Sequence, residues 1–158
     1  MTRLMLVSLL LVVSQAGCQF GNRPLEPGAL ELVGQCLQST QELLLGTVSY
    51  NDRRGTTYIL EPTSSDYFRR YPEEIVDRLS VGTRFQVVSV DRKNLSMTAN
   101  CWEVNVKLLD ATYSNIIAEI PACGFGYETS WLNHLDTRLG PDDHLRIRPE
   151  FAIRCSGD

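Results

Sequence analysis

CWEVNVKLLD, residues Cys101–Asp110, alternates apolar and polar side chains more cleanly than any other stretch of the chain. Trp102, Val104, Val106 and Leu108 fall on one side; Glu103, Asn105 and Lys107 fall on the other. That period of two predicts a β-strand with one face buried and one face wet. Runs rich in Val, Ile and Phe flank it, at Arg84–Asp91 before and Asn115–Ile120 after. Three such runs joined by short polar segments predict a β-meander.

Working outward, the composition sets the scale. The chain has 158 residues, 43% of them hydrophobic, which suits one compact domain. Its formal charge of −4 favours solubility and excludes the basic stripe that a nucleic-acid partner requires. Residues 1–17 have the layout of an export signal: Arg3, an apolar core over Leu4–Val13, then Ser14-Gln15-Ala16-Gly17. The core is about half the ~20 residues that span a bilayer, so removal is expected rather than retention.

Gln15-Ala16-Gly17-Cys18 resembles the lipobox of bacterial lipoproteins, whose cysteine is diacylated and becomes the new N-terminus. The resemblance covers the first 18 residues and implies an exported chain lipid-anchored to a bacterial membrane. In a Gram-negative host that means the periplasmic side of the outer membrane. Ordinary signal peptidase cleavage after Ser14-Gln15-Ala16 is the alternative. Gln19–Gly28, with Gly21, Pro24, Pro27 and Gly28, reads as a tether after Cys18. One β-rich domain is then expected over residues 29–158.

Five cysteines, at 18, 36, 101, 123 and 155, leave one unpaired in an oxidising compartment. Acylation accounts for Cys18. The other four are expected to form two disulfides; burial as free thiols is the alternative. Cys36–Cys101 with Cys123–Cys155 is the expected pairing, because each bridge then links adjoining pieces of the domain.

Ala29–Gly46 fits either a helix or two short strands around Gln38–Gln41, with Gly34 favouring strands. Leu43–Tyr50 and Thr56–Glu61 predict a hairpin about the loop Asn51–Gly55. Pro62–Arg70 reads as a loop whose neighbouring aromatics Tyr67, Phe68 and Tyr71 either plug a barrel end or form a recognition surface. Helices are predicted over Pro72–Leu79 and Ser130–Leu139. Arg92–Ala99 is expected to link two meander strands, and it contains the formal glycosylation acceptor Asn94-Leu95-Ser96. The glycine turn Leu79–Val87 resembles the strand entry of small SH3-like barrels in bacterial envelope proteins. The fold expected is therefore mainly β, a small SH3-like or related open barrel on the meander, with one or two short helices.

The last strand is expected over Leu145–Cys155, interrupted by Pro149 and so either at an edge or bent there. Arg146, Arg148 and Arg154 share its polar side, a candidate contact for an anionic partner or a solvated face that discourages edge pairing. His134 and His144 lack the spacing of metal ligands, so no metal and no cofactor is expected. No catalytic residue is assigned. The expected function is non-enzymatic, an envelope lipoprotein binding or scaffolding an envelope protein or cell-wall component. The competing class is a small envelope hydrolase using Cys123 with His134 or His144.

Overall fold

Residues 25–49, 56–96, 99–123 and 130–156 are described by the computed structural model. The Cys101–Asp110 stretch lies in a strand at Ala99–Leu108, and the alternation has its expected consequence. Trp102, Val104, Val106 and Leu108 are buried in the main core, while Lys107 is exposed. In chain order the elements are α1 (Pro27–Leu30), β1 (Cys36–Ser39), β2 (Leu43–Ser49), β3 (Thr56–Pro62), α2 (Asp66–Arg70) and β4 (Ile75–Leu79). β5 (Arg84–Ser96), β6 (Ala99–Leu108), β7 (Ile117–Ile120) and β8 (Ala152–Arg154) follow. Among the described residues these strands form one eight-stranded open sheet in the order β4-β2-β3-β7-β6-β5-β1-β8. β3 and β7 run parallel; every other pair is antiparallel.

The meander β5-β6-β7 and the hairpin β2-β3 are as expected, and the loop Asn51–Gly55 lies outside the described residues. Within Ala29–Gly46 the first two residues end α1, and the strands β1 and β2 follow about Thr40–Glu42. Arg92–Ala99 is a correction, because β5 runs on to Ser96 instead of ending at Asp91. A bulge between Val87 and Ser89 lets Val87 and Val90 both reach the core, and the shifted alternation carries Lys93 to the outer face. There its ammonium bonds Glu119 at 2.8 Å and lies 3.6 Å from Glu103. Pairing thus continues through polar residues that look like linker in the sequence.

Both predicted helices are also corrected. Over Pro72–Leu79 only a 3-10 turn at Pro72–Glu74 forms, and the remainder is strand β4, which pairs with β2. β-Branched Ile75 and Val76 are stiff in a helix, and so short a helix gains little against its nucleation cost. Over Ser130–Leu139 there is irregular chain with an isolated bridge between Leu132 and Ile147. Trp131 donates its amide to Pro121 and Asn133 its amide to Arg146, while the Ser130 hydroxyl and the Asp136 carboxylate take the amides of Leu132 and Arg138. These distant and local acceptors use donors that a helix needs.

Pro62–Arg70 contains α2, capped by Ser65, whose hydroxyl accepts from the Tyr67 amide at 3.2 Å. Phe68 is buried on the outer face of the sheet with Leu44 and Ile59, a second apolar cluster in which it covers β2 and β3.

Two short connections govern the curvature. Thr40–Glu42 joins β1, seventh in the sheet, to β2, second; Ser80–Thr83 joins β4 at one edge to β5, sixth. Links of three or four residues span only ~10–14 Å, so the sheet must curl until its ends approach. Gly82, at φ +90°, makes the second turn, donating its amide to Ser39 at 3.0 Å while Ser39 donates to Thr83 at 2.9 Å. One core accordingly holds Leu45 and Leu79 from one end of the sheet with Leu37 and Ala152 from the other.

The cysteine pairing differs from expectation. Cys36 is joined to Cys155, with Cα atoms 5.4 Å apart, and Cys101 to Cys123, at 5.0 Å. Each joins a cysteine in a strand, β1 or β6, to one just past the end of the neighbouring strand, β8 or β7. Counting outward from Leu37 opposite Arg154 brings Cys36 to Cys155, and counting from Val104 opposite Ile120 brings Cys101 to Cys123. Cys18 and the rest of residues 1–24 lie outside the described residues. Leu25 packs against the core and Glu26 pairs with Arg92, so the packed chain already includes part of the stretch read as tether.

Candidate binding groove

Pro149 sits in a turn, where the Arg148 carbonyl accepts from the amides of Phe151 at 3.0 Å and Ala152 at 3.3 Å. Past this point the chain reverses. The strand expected over Leu145–Cys155 is broken at Pro149 into two arms, residues 145–148 and β8, that meet at the turn and then diverge. Between them opens a groove of about 450 Å³. Leu37, Leu145 and Ala152 contribute buried apolar walls.

The reversal redistributes the three arginines. Arg146 lines the groove from one arm and Arg154 from the other. Among the described residues neither guanidinium lies within ion-pair distance of a carboxylate. Arg148 is engaged elsewhere. It donates to Glu150 through Nε at 2.8 Å, to the Ser130 carbonyl at 3.0 Å, and stacks over Phe151. Glu150's own amide and then Arg148 hold the Glu150 carboxyl below its ordinary value. The sequence-predicted trio therefore becomes a groove-lining pair and one arginine committed to the turn.

His144 also lines the groove, its Nδ1 donating to Glu31 at 2.9 Å, a pair that the sequence reading missed because 113 positions separate the two residues. His134 does not line it. Cys123 is bonded to Cys101, so it has no thiol to serve a cysteine hydrolase in this form. Among the described residues no three His, Cys, Asp or Glu side chains converge as metal ligands would.

Backbone edges complete the geometry. The Leu132–Ile147 bridge uses the Arg146 carbonyl, accepting from Asn133 at 3.1 Å, and the Arg148 amide, donating to Trp131 at 2.7 Å. Alternation then directs the amide and carbonyl of Ile147 to the opposite side. On β8 the bond from the Cys155 amide to the Cys36 carbonyl fixes the pairing phase, so Arg154 presents its backbone groups away from β1. On the same side as Ile147 the Leu145 amide already donates to Gly28 at 3.0 Å, so Ile147 and Arg154 are the edge residues that, with two guanidinium groups, border the slot. No protein-family model, no curated protein and no solved structure matches this chain, so the functional reading rests on this geometry.

Proposed function

We propose that the chain is a cell-envelope lipoprotein, anchored to a bacterial membrane through acylated Cys18, whose β domain binds or scaffolds another envelope component without catalysing a reaction. The observation that carries this reading is the cysteine arithmetic: the four cysteines of the folded region are joined in two pairs, which leaves Cys18 as the odd thiol. Disulfides persist in exported proteins, and acylation gives the remaining cysteine a use. The arginine-lined groove supports a binding role. The two short connections that force the sheet to curl support an SH3-like or related open barrel as the architecture. Among the described residues no helix is long and apolar enough to cross a membrane.

Changing Cys18→Ser tests the anchor. The variant is expected to stay unprocessed or to leave the membrane fraction, because each buried lipid methylene contributes about 0.8 kcal/mol. Unchanged, mature, membrane-bound protein refutes the lipoprotein reading. Thiol titration of the mature protein separates the two functional classes: a reduced Cys123 would favour the hydrolase, and its absence favours the binding module.

A further inference from the structure

We propose that the slot between residues 145–148 and β8 receives an extended acidic peptide, which adds as a strand between the two arms; this rests on the binding-module reading above and names the partner's chemistry. Three observations carry it. The arms meet only at the turn, where the Ala152 amide reaches the Arg148 carbonyl, and beyond it they separate around the groove. Had they zipped into a hairpin, Arg146 would stand opposite Arg154, two like charges face to face, which disfavours pairing. The edges left over are complementary to an extended backbone: Ile147 offers an amide and a carbonyl from one side, Arg154 the same from the other. Strand addition supplies such groups with partners, and side-chain pockets supply selectivity.

Charge selects the occupant. Arg146 and Arg154 line the slot without a carboxylate partner among the described residues, whereas Glu31 is hydrogen-bonded to His144 and Glu150 to Arg148. An approaching carboxylate therefore meets two guanidinium groups capable of bidentate bonds. Ile147, half-buried, and Ile153, exposed, offer apolar surface to the alternate side chains, over a floor of buried Leu37, Leu145 and Ala152. A slot of about 450 Å³ with β8 three residues long accommodates a short run of strand, so acidic residues alternating with small apolar ones match it.

The test uses the full-length protein as expressed and a fluorescein-labelled octapeptide alternating Glu and Val with blocked ends, read by fluorescence anisotropy. Binding is expected, weakening as salt is raised. Three changes are each expected to reduce affinity at least about tenfold: Glu replaced by Lys in the peptide, N-methylation of its alternate amides, and the protein double substitution Arg146→Glu, Arg154→Glu. Both arginines are exposed, and an unchanged melting temperature shows that the variant folds. Equal binding of the N-methylated peptide overturns strand addition, and equal binding of the Lys peptide overturns the charge selection. Displacement by free glutarate at the peptide's own concentration overturns the proposal in favour of a simple carboxylate pocket, and no peptide binding overturns it outright. None of these outcomes depends on Cys18, so failure here is distinct from failure of the anchoring experiment.

Discussion

Gly46 is where the outer face of the sheet depends most sharply on one residue. A β-carbon built there would collide with the Phe68 ring, which lies on β2 and closes the second apolar cluster. Gly46→Ala is therefore expected to displace Phe68 and destabilise by about 1–3 kcal/mol, read from urea denaturation. The two faces of β6 give a paired comparison. Val104 is fully buried, while Asn105 donates to the Ser89 hydroxyl at 3.1 Å on the partly wet side. Val104→Asp is expected to cost several kcal/mol through an unpaired buried charge, and Asn105→Asp about 1; equal losses would invert the face assignment. Tyr113 and Asp77 supply a pH signature. The Tyr113 hydroxyl donates to Asp77, which lowers the carboxyl, with help from the Arg78 amide, below its ordinary 3.8. The same bond, then burial and the Asp77 charge, raises Tyr113 above 10.0. Asp77's contribution is present above pH 3.8 and is lost as pH falls through the lowered value. Tyr113's is complete below pH 10.0 and is lost as pH rises through the raised one. The stability difference between the native protein and Tyr113→Phe should accordingly be flat between those limits and decline at both ends, measured as urea midpoints against pH.

Among the elements, the meander and the β2-β3 hairpin are legible in the sequence because each is local and its alternation is clean. β4 and the Ser130–Leu139 segment are not, because their amides find partners far along the chain: Leu79 pairs with Leu43, and Trp131 with Pro121. Apolar spacing at Trp131, Leu132, Leu135 and Leu139 imitates a helical stripe, yet Leu135 is exposed while the other three are buried. The groove was half legible. Arg146 and Arg154 were visible as a set with Arg148, but only the turn around Pro149 places the first two on opposing walls and commits the third to Glu150. The Cys101–Cys123 bridge follows from the meander register once Val104 is set opposite Ile120, whereas Cys36–Cys155 depends on the β1-β8 pairing, which no local signal announces. Non-reducing peptide mapping is expected to return Cys36–Cys155 and Cys101–Cys123, and a Cys36–Cys101 peptide would contradict the fold. By loop closure the longer bridge stabilises by roughly 5 kcal/mol and the shorter by about 3, so Cys36→Ala with Cys155→Ala should lower the denaturation midpoint more than the other double variant.

At the scale of the whole molecule, the curl makes the final strand dependent on the first, since β8 has β1 as its neighbour in the sheet and the cysteines that join them are 119 positions apart. Order in time follows. A chain emerging from its N-terminus, at a ribosome or through a membrane pore, presents Cys36 long before Cys155, and Cys101 and Cys123 appear in between. Until Cys155 arrives, the thiol of Cys36 has only wrong partners within reach. Co-translational oxidation should then accumulate a Cys36–Cys101 or Cys36–Cys123 intermediate that must be reshuffled, and alkylation trapping on chains stalled before residue 155 would capture it. Maturation of this domain is thus expected to depend on a disulfide isomerase, a requirement set by strand order and not by the chemistry of either bond.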